Sequence, residues 1–117
     1  EEETSIVTDW VKDLGVDTVD ISTGGLVASA KIPVGPGYQV PLAHYVKEHA
    51  HLPTSAVGMI TTAEQANEII TSGRADAVML GREHLRDPHF ALRAAAKLGV
   101  NVDYGTPQYQ WAPYPSK

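Results

Sequence analysis

The feature that most constrains the fold of this chain is a regular alternation of helical and strand-like patterns, separated by glycines. Two of the junctions repeat: residues 14–19 and 72–78 each combine a helix end, a glycine, an aspartate and a β-branched strand. This order predicts parallel strands joined by right-handed crossovers, with both faces of the sheet covered. The predicted strands lie at 17–22, 53–60 and 76–81, and the predicted helices at 6–14, 41–50, 63–72 and 88–97.

Local signals mark where the helices start, and a long loop separates the first strand from the second helix. The predicted caps are Thr4 or Ser5, then Thr61 or Thr62 with Glu64 and Gln65 forming a capping box, and Asp87 before Pro88. Residues 23–39 are rich in glycine and proline. A loop of this length in a compact domain is more often functional than not.

A chain of 117 residues is too short to form a closed parallel sheet of this kind. Three parallel strands leave two open edges, which expose unpaired backbone groups. A complete (β/α)₈ barrel needs about 250 residues, so the chain can supply roughly three of its eight units. We therefore predict an α/β fold, a partial TIM barrel at 1–99 followed by a Pro-rich and aromatic tail at 100–117. Its edges should be covered by a partner chain or by self-association.

The composition excludes several classes of function. The formal net charge is −5, which argues against nucleic acid or an anionic membrane as the main partner. The chain has no cysteine, so thiolate chemistry is excluded, and its five histidines form no metal-binding motif. No apolar run approaches the roughly 20 residues that span a bilayer, and no leader is visible. We expect a cytoplasmic protein without a metal site.

The carboxyl ends of the predicted strands are where chemistry is expected. Ligands of α/β folds bind at these ends, which here carry Ser22, Gly58 with Met59, and Gly81 with Arg82. Glycines allow backbone N–H groups to approach an anion, and an arginine adds a fixed positive charge. These residues predict a phosphate site. The alternative is that the glycines only allow close packing between helix and strand.

Six segments in order resemble the C-terminal part of an old yellow enzyme, most closely the bacterial thermophilic-like ene-reductases. They extend over nearly the whole chain and read VDISTGGLV at 19–27, PGYQV at 36–40, AVGMI at 56–60, GRAD at 73–76, GREHLRDP at 81–88 and PQY at 107–109. The resemblance implies that the three strands are strands 6–8 of an FMN-binding TIM barrel. It implies that FMN takes hydride from NADPH or NADH and passes it to an activated alkene.

The resemblance also assigns roles to individual positions. It implies that Gly58 and Met59 meet the FMN phosphate region, that Gly81 and Arg82 bind the phosphate, and that Ser22 lies near the ribityl-phosphate end. Trp111 stands beside the position where several members carry an arginine that reaches into a neighbouring subunit. It is either an aromatic version of that contact or only an interface residue.

The chain departs from the family because it has no match for the substrate-anchoring residues, the proton donor or strands 1–5, so we assign no catalytic residue. We expect a split or cleaved ene-reductase: a complementary chain carries strands 1–5, and the completed barrel forms a homo-oligomer. One alternative is a non-catalytic phosphate-binding half-barrel or assembly module. Another is a fragment of a phosphate-binding isomerase or aldolase, although no lysine or paired carboxylate stands at a strand end.

Overall fold

The computed structural model describes residues 1–109 and 111–115 of the chain. Helices and strands alternate in the predicted order. The elements are α1 (Glu2–Asp13), β1 (Val19–Ile21), α2 (Val40–Ala50), β2 (Thr54–Ala56), α3 (Ala63–Thr71), β3 (Ala77–Val78), α4 (Arg82–Arg86) and α5 (Phe90–Leu98), followed by a 3-10 turn at Pro107–Tyr109.

The three strands form one parallel sheet in the order β1-β2-β3, as predicted. In the register of the sheet Val19 pairs with Thr54, and Ser55 pairs with Ala77. The strands are shorter than predicted, and the expected extension of β2 to residue 60 is wrong. Gly58 and Met59 have φ angles of 120° and 50°, which turn the chain out of the extended conformation.

The core lies between one face of the sheet and the helices. It contains Ile21, Val40, Ala43, Val46, Ala50, Ala56, Ile60, Ile69 and Ala75. The opposite face carries Asp20, Ser55 and Ala77, since side chains alternate along a strand. Asp20 and Ala77 are exposed, so the expectation that both faces are covered is wrong for the described chain. Helices cover one face, and the other face is partly open.

Helix α1 presents its polar side to the rest of the chain. The expectation that Thr4 or Ser5 caps it is wrong, because the helix begins at Glu2 and Ser5 is buried within it. Ser5 and Thr8 are its buried residues, and the Lys12 Nζ donates to the Ala50 carbonyl over 3.0 Å. The helix is predicted by the spacing of five apolar residues, of which Val11 is half-buried and the other four are exposed: Ile6, Val7, Trp10 and Leu14. We call these four residues the α1 stripe.

The caps of the later helices agree better with the sequence. The Gln65 N–H donates to Thr62 Oγ1 over 3.2 Å, as the predicted capping box requires. The expectation that Asp87 caps a helix whose first residue is Pro88 is wrong: α5 begins at Phe90, and the Asp87 Oδ1 accepts from the N–H of His89, the residue before the helix. Asp87 also forms a 2.5 Å ion pair with Arg93.

Asp76, in the second of the repeated junctions, holds the start of β3 against its neighbours. Its carboxylate accepts from Lys47 Nζ over 2.9 Å and from the Thr54 N–H over 3.0 Å. Burial raises the pKa of Asp76, but the hydrogen bonds from Lys47 and Thr54 and the charge of Lys47 outweigh it, so the pKa is lowered. Asp76 thus ties the start of β3 to α2 and β2.

We expect Asp76→Asn to destabilise the protein by about 1 kcal/mol at pH 7, because it removes a partly exposed ion pair. A lowered pKa means that the charged carboxylate favours the folded state. The stabilisation is therefore complete above the ordinary pKa of 3.8 and is lost as the pH falls through the lowered value. Urea unfolding of both proteins at pH 7 and pH 3 measures this; an equal difference at both values would contradict it.

Residues 1–109 and 111–115 lack two further features. Within these ranges no helix is long and apolar enough to cross a membrane. The same part of the chain contains no cluster of three or more histidine, aspartate or glutamate side chains that could hold a metal ion.

Candidate functional site

A cleft of about 270 Å³ lies beyond the carboxyl ends of β2 and β3. Four of the five residues predicted to bind the cofactor line it: Gly58, Met59, Gly81 and Arg82. Its remaining lining residues are Val34, Val57, Ile60, Thr61, Met79, Glu83 and Arg86. Gly58 and Gly81, which are 23 positions apart in the sequence, meet here because parallel strands present their carboxyl ends at one edge. We call this space the strand-end cleft.

One wall of the strand-end cleft is the turn at residues 58–61. The Gly58 carbonyl accepts from the Gly37 N–H over 2.8 Å, so the long loop closes onto this turn. A Cβ on Gly58 would lie 2.9 Å from the Tyr38 ring and 3.1 Å from the Gln39 amide nitrogen. The absent side chain of Gly58 therefore makes room for Tyr38 and Gln39, at the end of the long loop.

The other wall is formed by Gly81 and α4. Gly81 precedes the helix, and a Cβ there would have no atom of the described chain within 4 Å. The position is therefore open, and a glycine there would allow a ligand to approach the backbone closely.

Two arginines and one glutamate set the charge of the cleft. Arg86 is paired with Glu83 at 2.7 Å. Arg82 is exposed, and among the described residues its guanidinium has neither an ion pair nor a hydrogen bond. The formal charge of the three side chains is one positive unit, so the cleft suits an anion. Arg86 was not singled out from the sequence, although its spacing of four from Arg82 places both on one side of a helix.

Ser22 is not brought into this cleft. It follows β1 and lines a separate pocket of about 330 Å³ with Asp20, Ile21 and Thr23. Ser22 nevertheless directly follows Ile21, which pairs with Ala56, so it lies at the same edge of the sheet as Val57 and Gly58.

Gln39 connects the ends of β1 and β2 and was missed by the sequence analysis. It is 3% exposed, and its Oε1 accepts from the Thr23 N–H. Its amide nitrogen lies beside Gly58, as the contact of a Cβ built there shows. In the sequence, Gln39 is a polar residue two positions before Pro41, at the predicted start of a helix. This pattern does not distinguish it from an ordinary loop residue.

The tail remains apart from the strand-end cleft. Tyr109 lies 5.9 Å from His89 between ring centroids, and Trp111 is 93% exposed. Trp111 therefore makes little contact with its own chain and does not line the cleft.

Comparison with known proteins identifies the family. The model of the NADH:flavin oxidoreductase / NADH oxidase family matches residues 1–101. The chain belongs to this family. It is 50% identical over 93 residues to an NADPH dehydrogenase of Geobacillus thermodenitrificans, a match that covers 80% of this chain and 27% of the relative. The chain thus spans about a quarter of the length of that relative.

Family membership agrees with the old yellow enzyme resemblance and with the cofactors predicted from the sequence, FMN and NADPH or NADH. It also implies a TIM barrel, of which three parallel strand units are present here. The strand-end cleft fits the phosphate end of FMN: it carries an unpaired guanidinium and an unobstructed glycine. Its volume lies below the roughly 300–1,000 Å³ of pockets that enclose whole ligands, so further walls are needed for the rest of the cofactor.

Proposed function

We propose that this chain supplies the FMN phosphate-binding part of a flavin-dependent ene-reductase. Bound FMN would provide the redox chemistry, accepting hydride from NAD(P)H and delivering it to an activated alkene. The observation that supports this most is the unpaired Arg82 guanidinium, in a cleft built from the four predicted cofactor residues. The relative that is 50% identical over 93 residues is named an NADPH dehydrogenase.

The residues of this chain bind and orient the cofactor in this proposal. Arg82 offers planar N–H donors that match phosphate oxygens in pairs. Gly81 leaves room for the phosphate against the backbone, and the turn at 58–61 forms the opposite wall. The Glu83–Arg86 pair keeps the carboxylate of Glu83 neutralised beside the anion. Ser22 would contact the ribityl end only when additional walls bring the two pockets into one site.

We further propose that a complementary chain with the other five strands completes the barrel. Within the described chain β1 and β3 are edge strands, and a parallel sheet with open edges exposes unpaired N–H and C=O groups. The α1 stripe and the open sheet face with Asp20 and Ala77 are the surfaces that such strands and helices would cover. The proton donor and the substrate anchors would come from that part.

Trp111 is proposed as a contact between subunits of the completed barrel. A tryptophan that is 93% exposed on its own chain suits burial in another subunit, because its ring removes a large apolar area from water. Whether it reaches the partner's site or only packs at the interface is decided by substrate kinetics of Trp111→Ala. A changed KM at an unchanged oligomeric state indicates the site, and a changed oligomeric state indicates the interface.

The proposal is tested by the colour and composition of the native protein. We expect absorbance in the blue, release of FMN on acid denaturation, and bleaching when NADPH is added without oxygen. Gel filtration with mass spectrometry should find a companion chain together with this 12.6 kDa chain. Colourless protein that binds inorganic phosphate would instead support the non-catalytic module, and a stable monomer without a companion would contradict the split barrel.

A further inference from the structure

The turn at residues 58–61 is held by one side chain, that of Gln65, which does not itself line the strand-end cleft. Gln65 is the third residue of α3 and is half-buried. Its Nε2 donates to the Met59 carbonyl over 3.1 Å, and its Oε1 accepts from the Thr61 N–H over 3.0 Å. Both ends of the amide are therefore engaged, and they fix the residues on either side of Ile60.

Because peptide groups are planar, the bonds that hold the carbonyls of this turn also fix the directions of its N–H groups. No peptide bond of the described chain is cis, so each N–H points opposite to the carbonyl of its own peptide group. The Gly58 carbonyl is held by Gly37, and the Met59 carbonyl is held by Gln65. The N–H groups of Met59 and Ile60 must then point away from Gly37 and Gln65.

Neither of these two N–H groups has an acceptor within residues 1–109 and 111–115. Both residues line the strand-end cleft, and Ile60 is only 3% exposed. An N–H group of a buried residue that stays unpaired costs free energy, so an acceptor is expected. An anion in the cleft would supply it.

Met59 adds a second indication that this turn is constrained. Its φ of 50° is uncommon for a residue with a side chain, and such conformations persist only where neighbours impose them. The neighbour here is Gln65, since its amide holds the carbonyl that follows the strained angle.

We propose that Gln65 is a positioning residue of the phosphate site: by holding the Met59 carbonyl it aims the Ile60 N–H at the phosphate of the bound cofactor. The inference rests on the proposed function, because it takes the strand-end cleft to be the phosphate site. Gln65 acts through the backbone and does not touch the cofactor. Its contribution therefore depends on the phosphate and is independent of the rest of the flavin.

Two substitutions separate the bonds of Gln65. Gln65→Met keeps the length of the side chain and removes both side-chain bonds, while the backbone bond to Thr62 survives. Gln65→Glu keeps an acceptor for Thr61 but cannot donate to Met59. Asn67→Met, an exposed position on the same helix that does not line the cleft, is the matched control.

The experiment measures binding of FMN and of riboflavin, which lacks the phosphate, to the assembled apoprotein by flavin fluorescence. We expect both Gln65 variants to bind FMN about tenfold more weakly, the effect of one mispositioned hydrogen bond, and riboflavin within about twofold of wild type. Asn67→Met should change neither. A merely structural role would weaken both ligands equally, and that result, or unchanged FMN binding in both variants, overturns the inference.

The proposed function fails in a different way. If the wild-type protein binds riboflavin as tightly as FMN, the cleft is not a phosphate site at all. If Arg82→Ala loses FMN selectively while the Gln65 variants do not, the site stands and only the positioning role of Gln65 is wrong.

Discussion

Replacing Arg82 by alanine should weaken FMN binding about 10- to 100-fold. The guanidinium lines the strand-end cleft and has no partner in the described chain, so its bonds are available to a phosphate. A hydrogen bond to a charged group contributes about 1.5–3 kcal/mol, and each 1.4 kcal/mol is about tenfold in affinity. The measurement is the FMN dissociation constant of the assembled protein, compared with that of riboflavin, which should not change.

Two further variants control for charge and for folding. Arg82→Lys keeps the charge but loses the planar fork, so we expect an intermediate loss. Arg74→Ala removes an arginine that pairs with Glu68 outside the cleft, and FMN binding should stay as in wild type. Because Arg82 is exposed, its removal should leave the melting temperature nearly unchanged. FMN binding within twofold of wild type would show that the phosphate is held elsewhere.

Gly58→Val should destabilise the folded protein by about 2–6 kcal/mol and also distort the wall of the strand-end cleft. The φ of 120° at this position is strained for any residue with a side chain, at a cost of about 1–3 kcal/mol. The new side chain would also collide with the Tyr38 ring, from which even a Cβ is only 2.9 Å away. Overpacking of this kind costs about 1–3 kcal/mol more.

Denaturant unfolding of the assembled protein measures this loss, and two variants divide it. Gly58→Ala keeps the strained backbone but adds a smaller group, so it should lose less. Gly35 lies in the loop that closes onto this turn. It has no positive φ, and a Cβ on it would have no neighbouring atom of the described chain within 4 Å, so Gly35→Val should change stability little. If Gly58→Val unfolds as wild type does, the closure of the loop onto this turn is not stable in solution.

The two substitutions test different links between sequence and site. Gly58 shapes the wall of the cleft through packing against Tyr38 and Gln39, and its loss should appear in stability. Arg82 acts only on a ligand, and its loss should appear in affinity. If both variants behave as expected, the cleft is formed before the ligand binds. The Arg82 guanidinium is then available to the phosphate because it has no partner among the described residues.

Local chemistry made part of this structure predictable. The alternation of elements, the parallel sheet and the bond between Thr62 and Gln65 follow from patterns among residues within a few positions of each other. The strand-end cleft could be predicted because parallel strands share a carboxyl edge. Errors arose where a partner distant in sequence decides, as with the buried Ser5 in α1 and the exposed α1 stripe.

The amino-acid sequence by itself determined the order of helices and parallel strands, the excluded chemistries and four residues that line the strand-end cleft. Only the tertiary structure decided that Ser22 lies in another pocket, that Gln39 joins two strand ends, and that Gln65 holds the Met59 carbonyl. The physical reason is the range of the interactions. Periodicity and caps depend on neighbours along the chain, whereas a hydrogen bond between a helix and a distant turn depends on how the whole chain packs.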